Sequence, residues 1–167
     1  MKKIFSLSVL LCLLGGCSKP TVDNSVVNNF DLNRFLGSWY EIARFDHKFE
    51  RGMEQTKATY ILREDGKVDV LNTGMKHGKH SKAKGVAKIT DTPALLRVSF
   101  WGPFYSDYRV MLLDADYRYA LVGSGSDDYL WILSRTPQIT PEIQTLILAE
   151  AQKRGYDTDK LIWVNQP

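Results

Sequence analysis

Between Ser38 and Arg135 the chain runs in short stretches where apolar and polar residues alternate, rich in aromatic and β-branched side chains and broken by turn residues. The stretches are Trp39–Asp46, Gln55–Arg63, Lys67–Thr73, Ser81–Thr90, Ala94–Phe100, Asp107–Asp114, Tyr117–Gly123 and Tyr129–Arg135. A period of two marks strands with one buried face, so eight strands at hairpin spacing are expected. Asp65-Gly66 between two such runs suits a two-residue type I′ turn. Asp91-Thr92-Pro93 and Asp114-Ala115-Asp116 are the next turn signals. The remaining connections, His47–Glu54, Gly74–His80, Trp101–Ser106 and Ser124–Asp128, read as longer loops.

Short and long connections therefore alternate. The fold this predicts is all-β: an eight-stranded, up-and-down antiparallel β-barrel with tight turns at one closed end and long loops framing a mouth at the other. Eight strands enclose room for one small ligand, and closure removes the exposed edges of an open sheet. After Arg135 the period changes. Thr140 can cap a helix, Pro141 suits its first turn, and Glu142 meets the helix dipole favourably. Ile143, Leu146, Ile147 and Glu150 or Ala151 fall at helical spacing, and Lys153-Arg154-Gly155 makes an end. This helix is expected outside the barrel, followed by a short final strand over Leu161–Val164.

The N-terminus reads as a processing signal. Met1-Lys2-Lys3 is a positive leader, Ile4–Leu14 is apolar but too short to span a bilayer, and Leu14-Gly15-Gly16-Cys17 follows at once. This run resembles the lipobox of bacterial lipoproteins, and the resemblance implies that residues 1–16 are a lipoprotein signal peptide and Cys17 the lipid attachment site. Residues 17–29 are then expected as a lipidated polar tether and residues 30–167 as the barrel domain. Losing Lys2 and Lys3 lowers the formal charge from +3 to +1, which removes any global argument for nucleic-acid binding. Cys12 leaves with the leader and Cys17 carries lipid, so neither a disulfide nor a thiolate metal site is available.

Gly37-Ser38-Trp39 at the opening of the first strand, Asp116-Tyr117 between the sixth and seventh, and Arg135 at the end of the eighth together resemble the motifs of the lipocalin family. The runs Gly37–Arg44, Trp101–Tyr105 and Tyr119–Gly123 are similar to its bacterial outer-membrane lipoproteins and its apolipoprotein D-like group. The Leu-x-Gly-Cys run resembles a lipobox, and Ser18 rather than Asp after the cysteine implies sorting to the outer membrane, on its periplasmic face. The resemblance implies that Trp39 packs across the closed end with Arg135 over it. Gly37, Asp116 and Tyr117 belong to the same framework, and Val27–Leu36 forms a helical plug beneath. It further implies non-covalent binding of fatty acids or (lyso)phospholipids, for storage or transport, in envelope maintenance under stress.

Alternation places Ala43, Phe45, Tyr60, Tyr108, Val110, Tyr129 and Trp131 as the expected cavity residues. Large rings beside alanine and glycine leave space that a solid core would fill. Phe49, Arg51, Met53, Trp101, Phe104 and Tyr105 are expected around the rim, contacting a headgroup, a membrane or a second copy in a homodimer. Lys48, Lys76, His77, Lys79, His80 and Lys82 add positive charge there. A rival reading is a lipoprotein scaffold that binds or inhibits a protein partner through rim or outer wall. An enzyme is not expected: Gly123-Ser124-Gly125-Ser126 is followed by Asp127, so no nucleophile elbow forms. No metal and no cofactor are expected either, since His77-x-x-His80 lacks a third ligand and only His47 lies where it could reach haem.

Overall fold

A computed structural model of the chain describes residues 21–167; the expectations for residues 1–20, including Cys17, lie outside them. A single turn of helix, α1 (Leu32–Phe35), precedes eight antiparallel strands. These are β1 (Gly37–Phe45), β2 (Met53–Leu62), β3 (Val68–Lys76), β4 (Lys79–Ile89), β5 (Leu95–Trp101), β6 (Phe104–Leu113), β7 (Tyr119–Gly123) and β8 (Leu130–Ser134). Each strand pairs with the next, and β1 pairs with both β2 and β8, so the barrel is closed. Helix α2 (Pro141–Lys153) follows, capped by Thr140 with Pro141 in its first turn, and β9 (Leu161–Trp163) pairs antiparallel with the upper part of β1. No helix among the described residues is long and apolar enough to cross a membrane.

Two cores result. Inside the barrel, Phe35, Trp39, Tyr60, Val68, Val70, Ala87, Leu96, Val110, Val122 and Leu133 pack together. Outside, Ile147 and Ala151 of α2 cover Ile42, Ala43, Phe45, Met111, Leu121, Leu130 and Ile132. Leu146, expected on the buried stripe, is 46% exposed instead. The C-terminal tail closes the seam where β1 and β2 part. Pairing between them ends at Tyr40↔Lys57, and above it Gln166 Nε2 donates to the carbonyls of Glu41 (2.7 Å) and Thr56 (2.9 Å).

Several local expectations are corrected. Asp65-Gly66 does not form a two-residue turn. Arg63 and Lys67 close a three-residue connection in which Gly66 alone has positive φ (+78°), a type I turn with a bulge. Gly74–His80 and Trp101–Ser106 are not long loops, because both pairs of strands run on to two-residue turns. At His77-Gly78 both residues are left-handed (φ 51° and 73°), and at Gly102-Pro103 the glycine supplies the positive φ.

The segment expected to be a free tether through Asn29 is instead a strap bound to the barrel from Thr21 onward. Val27 N–H donates to the Val110 carbonyl (2.9 Å) and Asp23 N–H to the Arg154 carbonyl (2.8 Å). Arg154 returns bonds to the carbonyls of Asp23 and Ser25, and Val22 is buried under the end of α2. Side-chain and backbone hydrogen bonds hold it, so its polar composition concealed its order.

Candidate functional site

The closed end is built on Trp39, which has no exposed surface. Its Nε1–H donates to the Phe35 carbonyl (2.8 Å), and the Arg135 guanidinium lies 3.8 Å from its ring centroid. Arg135 spends its donors on the carbonyls of Arg34, Phe35, Leu36, Ser38 and Tyr117. One cation thus ties the plug, the first strand and the turn before β7 together, as expected of a delocalised, many-donor group on an aromatic face. Gly37 sits at φ +91° with Arg135 Nη1 3.4 Å from where a Cβ would stand. Tyr117 is buried, and its hydroxyl accepts from Asp31 N–H (2.8 Å).

Asp116 does not share this role. It is exposed, and the carboxylate that organises the turn is Asp114, which accepts from the backbone N–H of Asp116 and Arg118 and is clasped by the Arg118 guanidinium (2.7 and 2.9 Å).

Above the Trp39 floor lies a second aromatic layer. Tyr60 and Tyr108 share a hydrogen bond between their hydroxyls (2.7 Å), with Phe35 against both rings. Burial pushes both hydroxyls well above the ordinary tyrosine range, so the pair is a neutral one. Val110 packs beside it with no exposed surface.

Higher still the interior is not filled. Ala58, Asn72 and Ala83 follow one another across β2, β3 and β4 on the inner face, and Val98 and Ser106 across β5 and β6. Yet Ala83 and Ser106 are exposed, and Tyr108, Val98 and Trp131 are only half-buried. Inward residues that water still reaches define an open cup. At Gly85 an added Cβ would stand 2.7 Å from the Ser99 carbonyl oxygen and 2.9 Å from the Phe100 ring, so only glycine lets β4 and β5 approach this closely there.

Ala43 and Phe45 do not line this cup, although regular alternation from Trp39 would bring them in. The pairing of β1 with β8 shifts between Glu41 and Ala43, a bulge that turns the side chains after Ile42 over. Ala43 and Phe45 lie under α2, and the inner face carries Glu41 and Arg44. Arg44 Nη1 donates to Glu41 Oε1 (2.6 Å), and Thr56 to the same oxygen (3.2 Å). Arg44 Nη2 reaches the carbonyls of Glu50 and Met53, pinning the β1–β2 loop against the rim. Burial, reinforced by the nearby charge of Glu50, pushes the Glu41 carboxyl up to about 8 against the pull of Arg44.

The same loop lowers His47 and Glu50 onto β8. Tyr129 and Trp131 stack at 5.7 Å, His47 lies 5.4 Å from Tyr129 and 5.7 Å from Trp131, and the Trp131 Nε1–H donates to Glu50 Oε2 (3.2 Å). His47 Nε2 is 2.8 Å from that oxygen. Burial opposes the charge on Glu50, but its contacts with His47 and Trp131 prevail and hold its carboxyl below the ordinary value. Trp131 and Tyr129, expected in the cavity, stand half-buried at its mouth. The polar cluster of Glu41, Arg44, His47 and Glu50 was not foreseen as a group, because it depends on the bulge between Glu41 and Ala43, which no sequence signal marks.

Of the rim residues, Phe49 (56% exposed), Trp101 (73%) and Phe104 (78%) project from the hairpin tips. Arg51 pairs with Asp46 (2.8 Å), and Met53 is half-buried at the foot of the same loop. Tyr105 is displaced from its expected place, lying on the outer wall with the Lys88 ammonium 4.1 Å above its ring. Among the described residues no group of three or more His, Cys, Asp or Glu side chains is arranged to hold a metal ion.

A barrel stoppered by an aromatic floor, open at the other end and walled by apolar and small residues, is an architecture with room for one small apolar molecule. Comparison with known proteins makes the assignment particular. A lipocalin-like domain model matches residues 30–166. Outer membrane lipoprotein Blc of Escherichia coli K12 is 52% identical over 161 residues, covering 93% of this chain and 91% of the relative. The protein of the same name from Vibrio cholerae is 43% identical over 173 residues, covering 99% of each. Apolipoprotein D of Mus musculus is 35% identical over 164 residues, covering 92% of this chain and 84% of its own. The chain belongs to the lipocalin family. In fold it is similar to insecticyanin from the tobacco hornworm Manduca sexta (TM-score 0.73, 21% identity, covering 90% and 87%) and to lobster apocrustacyanin A1 (0.71, 18%, covering 90% and 89%).

Proposed function

We propose that this lipocalin is an outer-membrane lipoprotein, anchored through Cys17 on the periplasmic face, that holds a fatty acid or (lyso)phospholipid in its cup for storage or transport during envelope maintenance. The observation that carries the reading is the unfilled upper cup, where inward-facing Ala83 and Ser106 remain exposed above the sealed Tyr60–Tyr108 layer. An acyl chain placed there gains about 0.8 kcal/mol per buried methylene before the costs of association. Ten methylenes therefore suffice for micromolar affinity after costs of a few kcal/mol. The Glu41–Arg44–His47–Glu50 cluster gives the wall a polar side toward which a headgroup can turn, while the apolar chain lies against Val98 and Tyr108. The relatives' name, outer membrane lipoprotein, supports the location.

Native mass spectrometry of the chain, freed of detergent and mixed with lysophosphatidylethanolamine or palmitate, tests this. A discrete one-to-one adduct, or one lipid per subunit of a homodimer, is the expected result. A folded chain that takes up neither lipid would contradict it and direct attention to protein partners of the outer wall.

A further inference from the structure

The strap that precedes α1 climbs the barrel from floor to mouth. Val27 is bonded near the lower end of β6, Asn24 Nδ2 donates to the Ser124 carbonyl (3.2 Å), and Thr21 Oγ1 donates to Asp127 Oδ2 (2.7 Å). Ser124 and Asp127 belong to the β7–β8 loop at the open end, so the chain leaves the described structure beside the mouth. Cys17 is four residues farther on, and four extended residues reach at most about 14 Å.

The β7–β8 tip stands between the two hairpin tips that carry exposed aromatics, Phe49 on the β1–β2 side and Trp101 with Phe104 on the β5–β6 side. Across the mouth, the β3–β4 hairpin belongs to a stretch, Val70–Thr90, with five lysines and no carboxylate, and Lys76 and Lys79 flank its turn. Rings at the tips and cations beside them are what an interface of anionic lipid retains. Ile61, Leu62 and Ile89 are also exposed, but toward the floor, near Arg63, Glu64, Asp65 and Asp91 and at the end away from Thr21.

We propose that the mouth of the barrel, with Phe49, Trp101 and Phe104 at headgroup depth, is the face that rests on the lipid surface into which Cys17 is anchored. The inference depends on the anchoring at Cys17 proposed above. It gives the cup a direction: lipid enters and leaves through the contact itself, without crossing water.

The test uses the full lipoprotein in vesicles of phosphatidylethanolamine and phosphatidylglycerol (3:1), with an environment-sensitive dye on Pro103→Cys or, at the floor, on Glu64→Cys. Spin-labelled headgroups should quench the dye at position 103 at least about threefold more than at 64, and its emission should shift to the blue. Replacing Trp101 and Phe104 by serine should at least halve that quenching with the vesicle-bound fraction unchanged. Equal quenching at both positions, or no effect of the double replacement, overturns the orientation. A blue shift at 103 without vesicles, with the mass of a dimer, assigns the rim to a second copy and also overturns it. The intact mass separates the two failures, because a free Cys17 thiol removes the anchor along with the orientation, whereas a diacylated Cys17 with equal quenching removes the orientation alone.

Discussion

Replacing Trp39 by alanine should remove the support of the closed end, and its cost can be worked from the structure. The ring is fully buried against Phe35 (centroids 4.8 Å apart), beneath Arg135. A buried indole withdraws about 200 Å² from water, worth about 5 kcal/mol at 25 cal/mol per Å². Partial collapse of the cavity brings the expected loss to about 3–5 kcal/mol, and the orphaned guanidinium adds about 1 kcal/mol. The Phe35 carbonyl is not left bare, since Arg135 Nη2 also donates to it (3.2 Å). The total of about 4–6 kcal/mol corresponds to a fall in Tm of about 8–24 °C for a domain of this size. Denaturant unfolding and thermal melts followed by circular dichroism would measure it, with Trp163→Ala as control because that ring is 44% exposed. A loss below about 1.5 kcal/mol, or one no larger than the control's, would refute the reasoning.

Three further outcomes are expected. Glu41 titrates from 4.5 in the unfolded chain to about 8 in the fold, so between those values the folded state holds a proton that the unfolded state has lost. Stability should therefore fall as pH rises through the window, by about 2–4 kcal/mol, and Glu41→Gln should flatten the slope in urea titrations at pH 5 and 8.5; an unchanged slope would remove Glu41 as its source. Tyr60→Phe strands the Tyr108 hydroxyl and should cost about 1–2 kcal/mol, whereas adding Tyr108→Phe should recover part of that loss; strictly additive losses would contradict a coupled pair. Gly66→Ala meets no neighbour but holds φ at +78°, so it should cost about 1–2 kcal/mol through the backbone alone, and a neutral result would disprove the left-handed turn.

The barrel was legible in the sequence because each strand's lower half alternates between a packed interior and a solvated or helix-covered exterior. The Thr140 cap and the final strand were legible for similar local reasons, whereas the roles of Trp39 and Arg135 came from the resemblance of Gly37-Ser38-Trp39 and Arg135 to the family's motifs. Near the mouth the signal fails. His77, Lys79 and His80 read as loop because both faces of the β3–β4 hairpin are wet there, and alternation needs one dry face. Ala43 and Phe45 were misplaced because a bulge costs one residue of register and leaves no compositional trace. Asp116 was preferred to Asp114 because the resemblance lies in the Asp-Tyr pair, while the bonds fall to the carboxylate two residues earlier. The strap from Thr21 was hidden because hydrogen bonds hold most of it, with Val22 its one buried side chain.

The central claim is that a lipid lies in the cup above Tyr60 and Tyr108. Displacement of a fluorescent fatty acid from the wild-type chain, Ala83→Trp and Ala43→Trp tests it most directly. Ala83 faces the open cup, and Ala43 lies under α2. Ala83→Trp should weaken binding about tenfold or more, equivalent to about 1.4 kcal/mol, with the melting temperature little changed. Ala43→Trp should lower stability by about 1–3 kcal/mol through overpacking and leave affinity within about twofold. Unaltered affinity in Ala83→Trp, or a loss confined to Ala43→Trp, would place the ligand outside the cup and contradict the account.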